Sequence, residues 1–337
     1  MGIPRLRLRG VCGLRVPREG GPPRPRRRLL AREVFRLAFY LPHDHPPLAA
    51  GVGQALERYL DAVDGRARRL LSVSLSHDEG APLTAERWSQ VRRLLEDTRP
   101  WRFPEDYAPE EQRDIEKRRF ERGVLLTGSF GLLTGYGFEY RARVPWRPAP
   151  EATFASVLTA TLPVEALEAR GPGAVRQLAL DLAAPLRFAS GHAGLALRIQ
   201  GPPPSPTHAW RERLVRHPGI DLREAWGHEE WMGTRVDGVH WLNFLGPPAL
   251  LGLGGSEALR ARLRAEGSTV EALDAERAMV TLGERPEAGD LATGARLPAY
   301  QELARVLAPW REPYPARPPP LGLTEDEARR WWSRFLD

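Results

Sequence analysis

Residue types that could do chemistry are present in this chain, but few stand at a useful spacing. His43-Asp44-His45 could set two imidazoles on one side of a short extended piece, yet Pro46-Pro47 follow directly, so a loop after a strand is expected. His228-Glu229 begins like the zinc helix of a metalloprotease, but Met232 stands where the second His is required. Thr127-Gly128-Ser129-Phe130-Gly131 lacks the first Gly of a nucleophile elbow. Gly252-Leu253-Gly254-Gly255 opens like a dinucleotide fingerprint, then places Glu257 where the third Gly belongs, and reads as a turn. The single Lys, Lys117, lies among charged residues, which excludes a phosphate-cradling loop. Cys12 is the only cysteine, excluding intrachain disulfides and cysteine-ligated zinc. His192 and His240 sit in apolar strand contexts, where a hydrogen-bonded core histidine is the default. These patterns predict no catalytic residue, no metal site and no cofactor.

The elements that would position such residues mix two periods. Phe35, Leu37, Phe39 and Leu41 share one strand face, and Leu71, Val73 and Leu75 alternate with serines. Leu48, Val52, Leu56, Tyr59, Leu60 and Val63 form a helical stripe, and Thr84 caps a helix burying Trp88, Val91 and Leu95. Further strands are expected at 123–129, 134–143, 153–162, 193–199, 236–245 and 275–282. Helices are expected at 109–120, around 175–182, and at 256–265, 298–308 and 324–336. In the 236–245 strand, Val239, Trp241 and Leu245 should face one side, with His240, Leu242 and Phe244 on the other. The pattern predicts an α+β fold with mixed β-sheets and packed helices. The Pro-rich run at 201–206 is the best candidate for a break, so residues 31–337 read as one domain with a possible two-lobe division near 200–208.

The charge is uneven. Residues 1–28 carry nine Arg and one Glu, a net of +8, and the remaining 309 residues net −2 out of a total of +6. A near-neutral body lacks the basic patch that nucleic acid requires, and residues 1–30 read as a disordered Arg/Pro/Gly-rich tail. The longest stretch without Asp, Glu, Lys or Arg spans 19 residues, 238–256, and holds Pro247-Pro248 and five Gly, so it reads as a buried strand plus loop, not a membrane span. No apolar signal segment follows the basic start. A soluble, cytoplasmic protein with neither membrane nor nucleic acid as partner is expected.

Several segments carry a resemblance together. They are Gly191-His192-Ala193-Gly194, His217-Pro218-Gly219-Ile220-Asp221, the block from Gly233 to Gly246, Leu297-Pro298-Ala299-Tyr300, and the ending from Arg329 to Asp337. Across roughly residues 32–337 the chain resembles the type VI immunity family associated with antibacterial nuclease effectors of the VRR-nuclease type. The resemblance implies a non-enzymatic inhibitor of a cognate effector that acts by occluding its active or DNA-binding groove. It supplies no interface motif, so partner-binding residues are chosen by charge and aromaticity. One patch is Glu105, Asp106, Tyr107, Glu110, Glu111 and Asp114; the other is Glu224, Trp226, Glu229, Glu230 and Trp231. Two other functions remain open: a hydrolase using His192 or His240 with a carboxylate remote in sequence, and a non-inhibitory adaptor in a toxin locus. The oligomeric state is not legible.

Overall fold

The structure is a computed structural model describing residues 2–18, 21–63, 69–76, 80–99, 108–118, 120–129, 133–144, 154–199, 208–223, 232–314 and 322–336. Its strands are β1 (Leu8–Arg18), β2 (Gly21–Leu41), β3 (Ser72–Leu75), β4 (Ala81–Pro82), β5 (Gly123–Thr127), β6 (Gly137–Arg141), β7 (Ser156–Pro163), β8 (Ser190–Ile199), β9 (Leu242–Leu245), β10 (Ser268–Ala272) and β11 (Ala278–Leu282). The helices are α1 (His45–Val63), α2 (Ala85–Glu96), α3 (Pro109–Arg118), α4 (Val164–Arg170), α5 (Pro172–Ala183), α6 (His208–Val215), α7 (Ala249–Gly252), α8 (Gly255–Arg262), α9 (Pro298–Leu307) and α10 (Glu325–Trp332). The fold is α+β. The strands form one sheet in the order β10-β11-β9-β8-β2-β7-β6-β5-β3-β4, with β1 paired to β2 off this path. Every ladder is antiparallel, and parallel pairing among the described residues is confined to isolated bridges joining Ala196 with Asp221 and Val236 with Arg311. The sheet is therefore single and antiparallel where mixed sheets were expected. β8 and β9, which flank the 200–208 break, are neighbours in that sheet.

From Leu30 to Leu41, β2 lies between β7 and β8 and is buried on both faces. Register separates its two sides. Leu37 lies opposite Ala160, which lies opposite Phe138, and Phe138 packs on Tyr59 of α1 at 5.8 Å between ring centroids. Phe35, Leu37 and Phe39 of β2 thus share the face that carries α1. The even-numbered residues Arg36 and Tyr40 face the other way, beside His192 of β8, which pairs with Ala38. One face of the sheet centre is apolar and the other is charged. Thr324 caps α10 through its hydroxyl, with Glu327 reciprocating in a capping box.

Three further sequence expectations change. β9 begins only at Leu242, because the Asn243 side chain closes on His240: its Oδ1 accepts from the His240 N–H at 2.9 Å and its Nδ2 donates to the His240 carbonyl at 2.8 Å. The alternation expected through residue 241 therefore fails, and Trp241 and Phe244 both pack on rings of β2's apolar side, Phe35 and Phe39 respectively. Leu71 is exposed rather than core, just ahead of β3. The basic tail, expected to lack structure, contributes to packing near its start. Leu6 is 1% exposed, its N–H donates to the buried Glu33 carboxylate at 3.0 Å, and Arg7 Nε donates to the same group at 3.1 Å. The charge density of the tail hid one apolar residue and a buried carboxylate acceptor 27 residues downstream.

Leu6→Ala should accordingly cost about 2–5 kcal/mol, the range for emptying a buried leucine site. Denaturant unfolding measures it. A chain starting at Ala31 that melts with the full chain would show that this packing contributes nothing.

Candidate functional site

Four stretches of chain converge beneath the C-terminal helix on the charged face of the sheet. β2 supplies Arg36 and Tyr40, and β8 supplies His192. The segment after α6 supplies Asp221 and Arg223; it is held by a bridge in which Asp221 N donates to the Leu195 carbonyl at 2.9 Å and Leu197 N donates back to Asp221 at 2.8 Å. The approach to β9 supplies Asp237 and His240, fixed by Val236 N donating to Trp310 O at 2.9 Å. Two glycines permit the close packing. A side chain on Gly194 would begin 3.4 Å from His240 Cβ, and Gly238, at φ +119°, would bring one 3.2 Å from Arg223.

Arg36, His192, Asp221, Arg223, Asp237 and His240 are each no more than 5% exposed. Asp221 Oδ1 accepts from the Arg223 backbone N–H and from its Nε, both at 3.0 Å, and Oδ2 accepts from Arg36 at 2.6 Å. Arg36 also donates to the Arg223 carbonyl. Arg223 pairs with Asp237 through Nη1, and its Nη2 lies 3.3 Å from His240 Nε2. Tyr40 donates its hydroxyl to Asp237 at 2.6 Å. The imidazoles of His192 and His240 are stacked, 3.7 Å apart and 11° from parallel. His192 Nδ1 lies 3.5 Å from Asp237 and its Nε2 3.8 Å from Asp221, too far to bond, and neither ring nitrogen has a hydrogen-bond partner. The Arg223 guanidinium lies 5.5 and 5.1 Å from the ring centroids of Trp331 and Trp332, and Arg334 lies 3.9 Å over Trp331.

Burial acts against every charge here, and the pairings decide which survive. Burial tends to raise the Asp221 carboxyl, but Arg223 and then Arg36 hold it well below the ordinary range. Burial pulls His192 down to about 4, so the ring is neutral near pH 7. His240 is pushed well below its usual value by burial and then by its stacked neighbour. At the rim, burial and the nearby Arg223 lower Arg334 to about 9 and Arg311 to about 10.

The segments that carried the resemblance meet here. His192, Asp221, Asp237 and His240 belong to three of them, Arg334 and the paired tryptophans to the ending, and Tyr300 of the fourth packs on Phe335 at 5.4 Å. The type VI immunity for VRR-NUC family model, TsiV, matches residues 133–335. The chain belongs to this type VI immunity family. A Pseudomonas aeruginosa T6SS protein, PA0821, has a similar solved structure, with TM-score 0.67 at 21% identity, covering 92% of this chain and 85% of that one. This shows a shared fold. A search of curated proteins gives no match. No helix among the described residues is long and apolar enough to cross a membrane.

Of the surface residues chosen from sequence, the three that the structure describes lie elsewhere. Glu110, Glu111 and Asp114 are exposed on α3. Glu105, Asp106, Tyr107, Glu224, Trp226, Glu229, Glu230 and Trp231 fall outside the described residues. The cluster itself was missed because its members are distant in sequence. Its one local signal is charge within apolar strand: Arg36 between Phe35 and Leu37, and Asp237 three residues before His240.

Proposed function

We propose that this type VI immunity protein binds a cognate nuclease effector in the cytoplasm and covers its active or DNA-binding groove, one copy per toxin, without turnover. The observation that carries the reading is the family match over residues 133–335, whose description couples type VI immunity to VRR-NUC. A nuclease groove is basic, and a complementary inhibitor presents carboxylates. α3 offers Glu110 and Glu111 in its first turn with Asp114 one turn on, all exposed. Glu105, Asp106 and Tyr107, which precede α3 in sequence, are proposed for the same partner, and the second patch, Glu224, Trp226, Glu229, Glu230 and Trp231, is the internal comparison.

The hydrolase alternative gains an observation, because His192 and His240 do meet Asp221 and Asp237. Its chemistry is poorly served. The carboxylates are engaged by guanidinium groups, and all four residues are buried, whereas acid–base catalysis needs a group that reaches substrate. An adaptor that inhibits nothing is separated by growth rescue on co-expression with the effector.

Titrating the effector with this protein while following DNA cleavage should give an equivalence point near equal molar amounts. Reversing charge at Glu110, Glu111 and Asp114 should leave the fold intact and slow association by about tenfold or more at low salt, since exposed charges steer encounter. Inhibition at far substoichiometric amounts would point to an enzyme, and unchanged association would remove α3 from the interface.

A further inference from the structure

We propose that His192, His240, Asp221 and Asp237 form a site for one divalent transition-metal ion of the zinc class, which Arg223 must leave when the ion binds. One ligand atom from each of the four residues lies within 4.8 Å of all the others. A four-coordinate zinc-class ion, with bonds of roughly 2.0–2.2 Å, holds its donors about 3.4 Å apart. His192 Nε2 and His240 Nε2 lie 3.8 and 3.9 Å from Asp221 Oδ2, whereas the 3.5 Å approach of His192 to Asp237 is made by its other nitrogen, Nδ1. His192 must therefore commit one nitrogen to the ion, and donors as far as 4.8 Å apart must draw together. Two neutral imidazoles with two carboxylates select zinc, cobalt, nickel or copper over magnesium and calcium, which prefer all-oxygen shells.

A second observation points to a ligand. His192 is 3% exposed, yet neither of its ring nitrogens has a hydrogen-bond partner. A buried polar group left this way is costly, and an ion between the imidazoles and carboxylates would engage it. Arg223 is the obstacle, since it pairs with both carboxylates and contacts His240. It also has somewhere to go, because its guanidinium already lies over the Trp331 and Trp332 rings. Arg36 can remain bonded to Asp221 Oδ2, the same oxygen that faces both imidazoles, and would hold it in place as an outer partner. The stacked rings must tilt toward each other so that both present a lone pair to one ion.

The test uses the full chain, stripped with a chelator and titrated with zinc chloride, and with cobalt chloride as the spectroscopic probe. The expected result is one ion per chain, with the strong visible absorption of four-coordinate cobalt. His192→Gln and Asp237→Asn should each weaken binding by at least about a hundredfold, more than the loss of an outer-shell partner costs. Arg223→Met, which removes the competitor, should strengthen it by about tenfold or more. His43→Gln should change nothing. Circular dichroism establishes that each variant is folded, and the cobalt spectrum of the unaltered chain needs no variant at all. Absence of stoichiometric binding to the unaltered chain overturns the proposal, even if Arg223→Met binds. Binding that survives both His192→Gln and Asp237→Asn, or that is lost in His43→Gln, overturns it as well.

Discussion

Asp221→Asn should destabilise the metal-free protein by about 3–5 kcal/mol, the cost of removing one partner from a buried ion pair. Asp221 is 1% exposed and accepts from Arg36 at 2.6 Å and from Arg223 at 3.0 Å. Without its charge, two guanidinium groups remain in a water-poor interior with only Asp237 to balance them. Asparagine preserves shape, so the loss reports charge rather than volume. Urea unfolding of the single variant and of Asp221→Asn combined with Arg36→Met supplies the check. The double variant should recover part of the loss, because it removes one of the stranded cations. A single-variant cost under about 1 kcal/mol would mean that water reaches the cluster and screens it.

Trp241→Ala should cost a similar amount, about 3–5 kcal/mol, for a different reason: the cavity left by the indole. Trp241 is 1% exposed, meets Phe35 edge-on with centroids 5.9 Å apart, and donates its indole N–H to the Gly283 carbonyl at 3.0 Å. That hydrogen bond ties the approach to β9 to the end of β11. Trp241→Phe should cost less than alanine, since it keeps a ring against Phe35 and loses only the donor. A soluble Trp241→Ala protein of unchanged melting temperature that has lost effector binding would move this residue from core to interface.

Much of the fold was legible because its elements announce themselves locally. The stripe from Leu48 to Val63 is helical wherever it packs, the Thr324–Glu327 box starts a helix without help, and the alternation from Phe35 to Leu41 reads as strand. What sequence could not supply was register across distance. Nothing near Asp221 says that it bridges to Ala196, and nothing near His192 says that Ala38 and Asn243 are its cross-strand neighbours. The cluster is therefore a property of sheet order. Where local patterns failed, a side chain had intervened: Asn243 closing on His240 delayed β9, and Glu33 gave Leu6 an anchor that composition did not reveal.

The central place of β2 bears on how the molecule is made. Val34 lies opposite Pro163 on one side and Ala196 on the other, so this early-synthesised strand cannot complete either ladder until more than a hundred further residues have been added. During synthesis, Phe35, Leu37 and Phe39 leave the ribosome with their final neighbours not yet made. Closing such long loops before the contacts reward them is intrinsically slow, and the unpaired strand edges offer a template for association with another chain in the meantime. A cell that depends on this protein as an antidote would therefore need a stock of finished copies, because protection begins only when β7 and β8 have closed on β2.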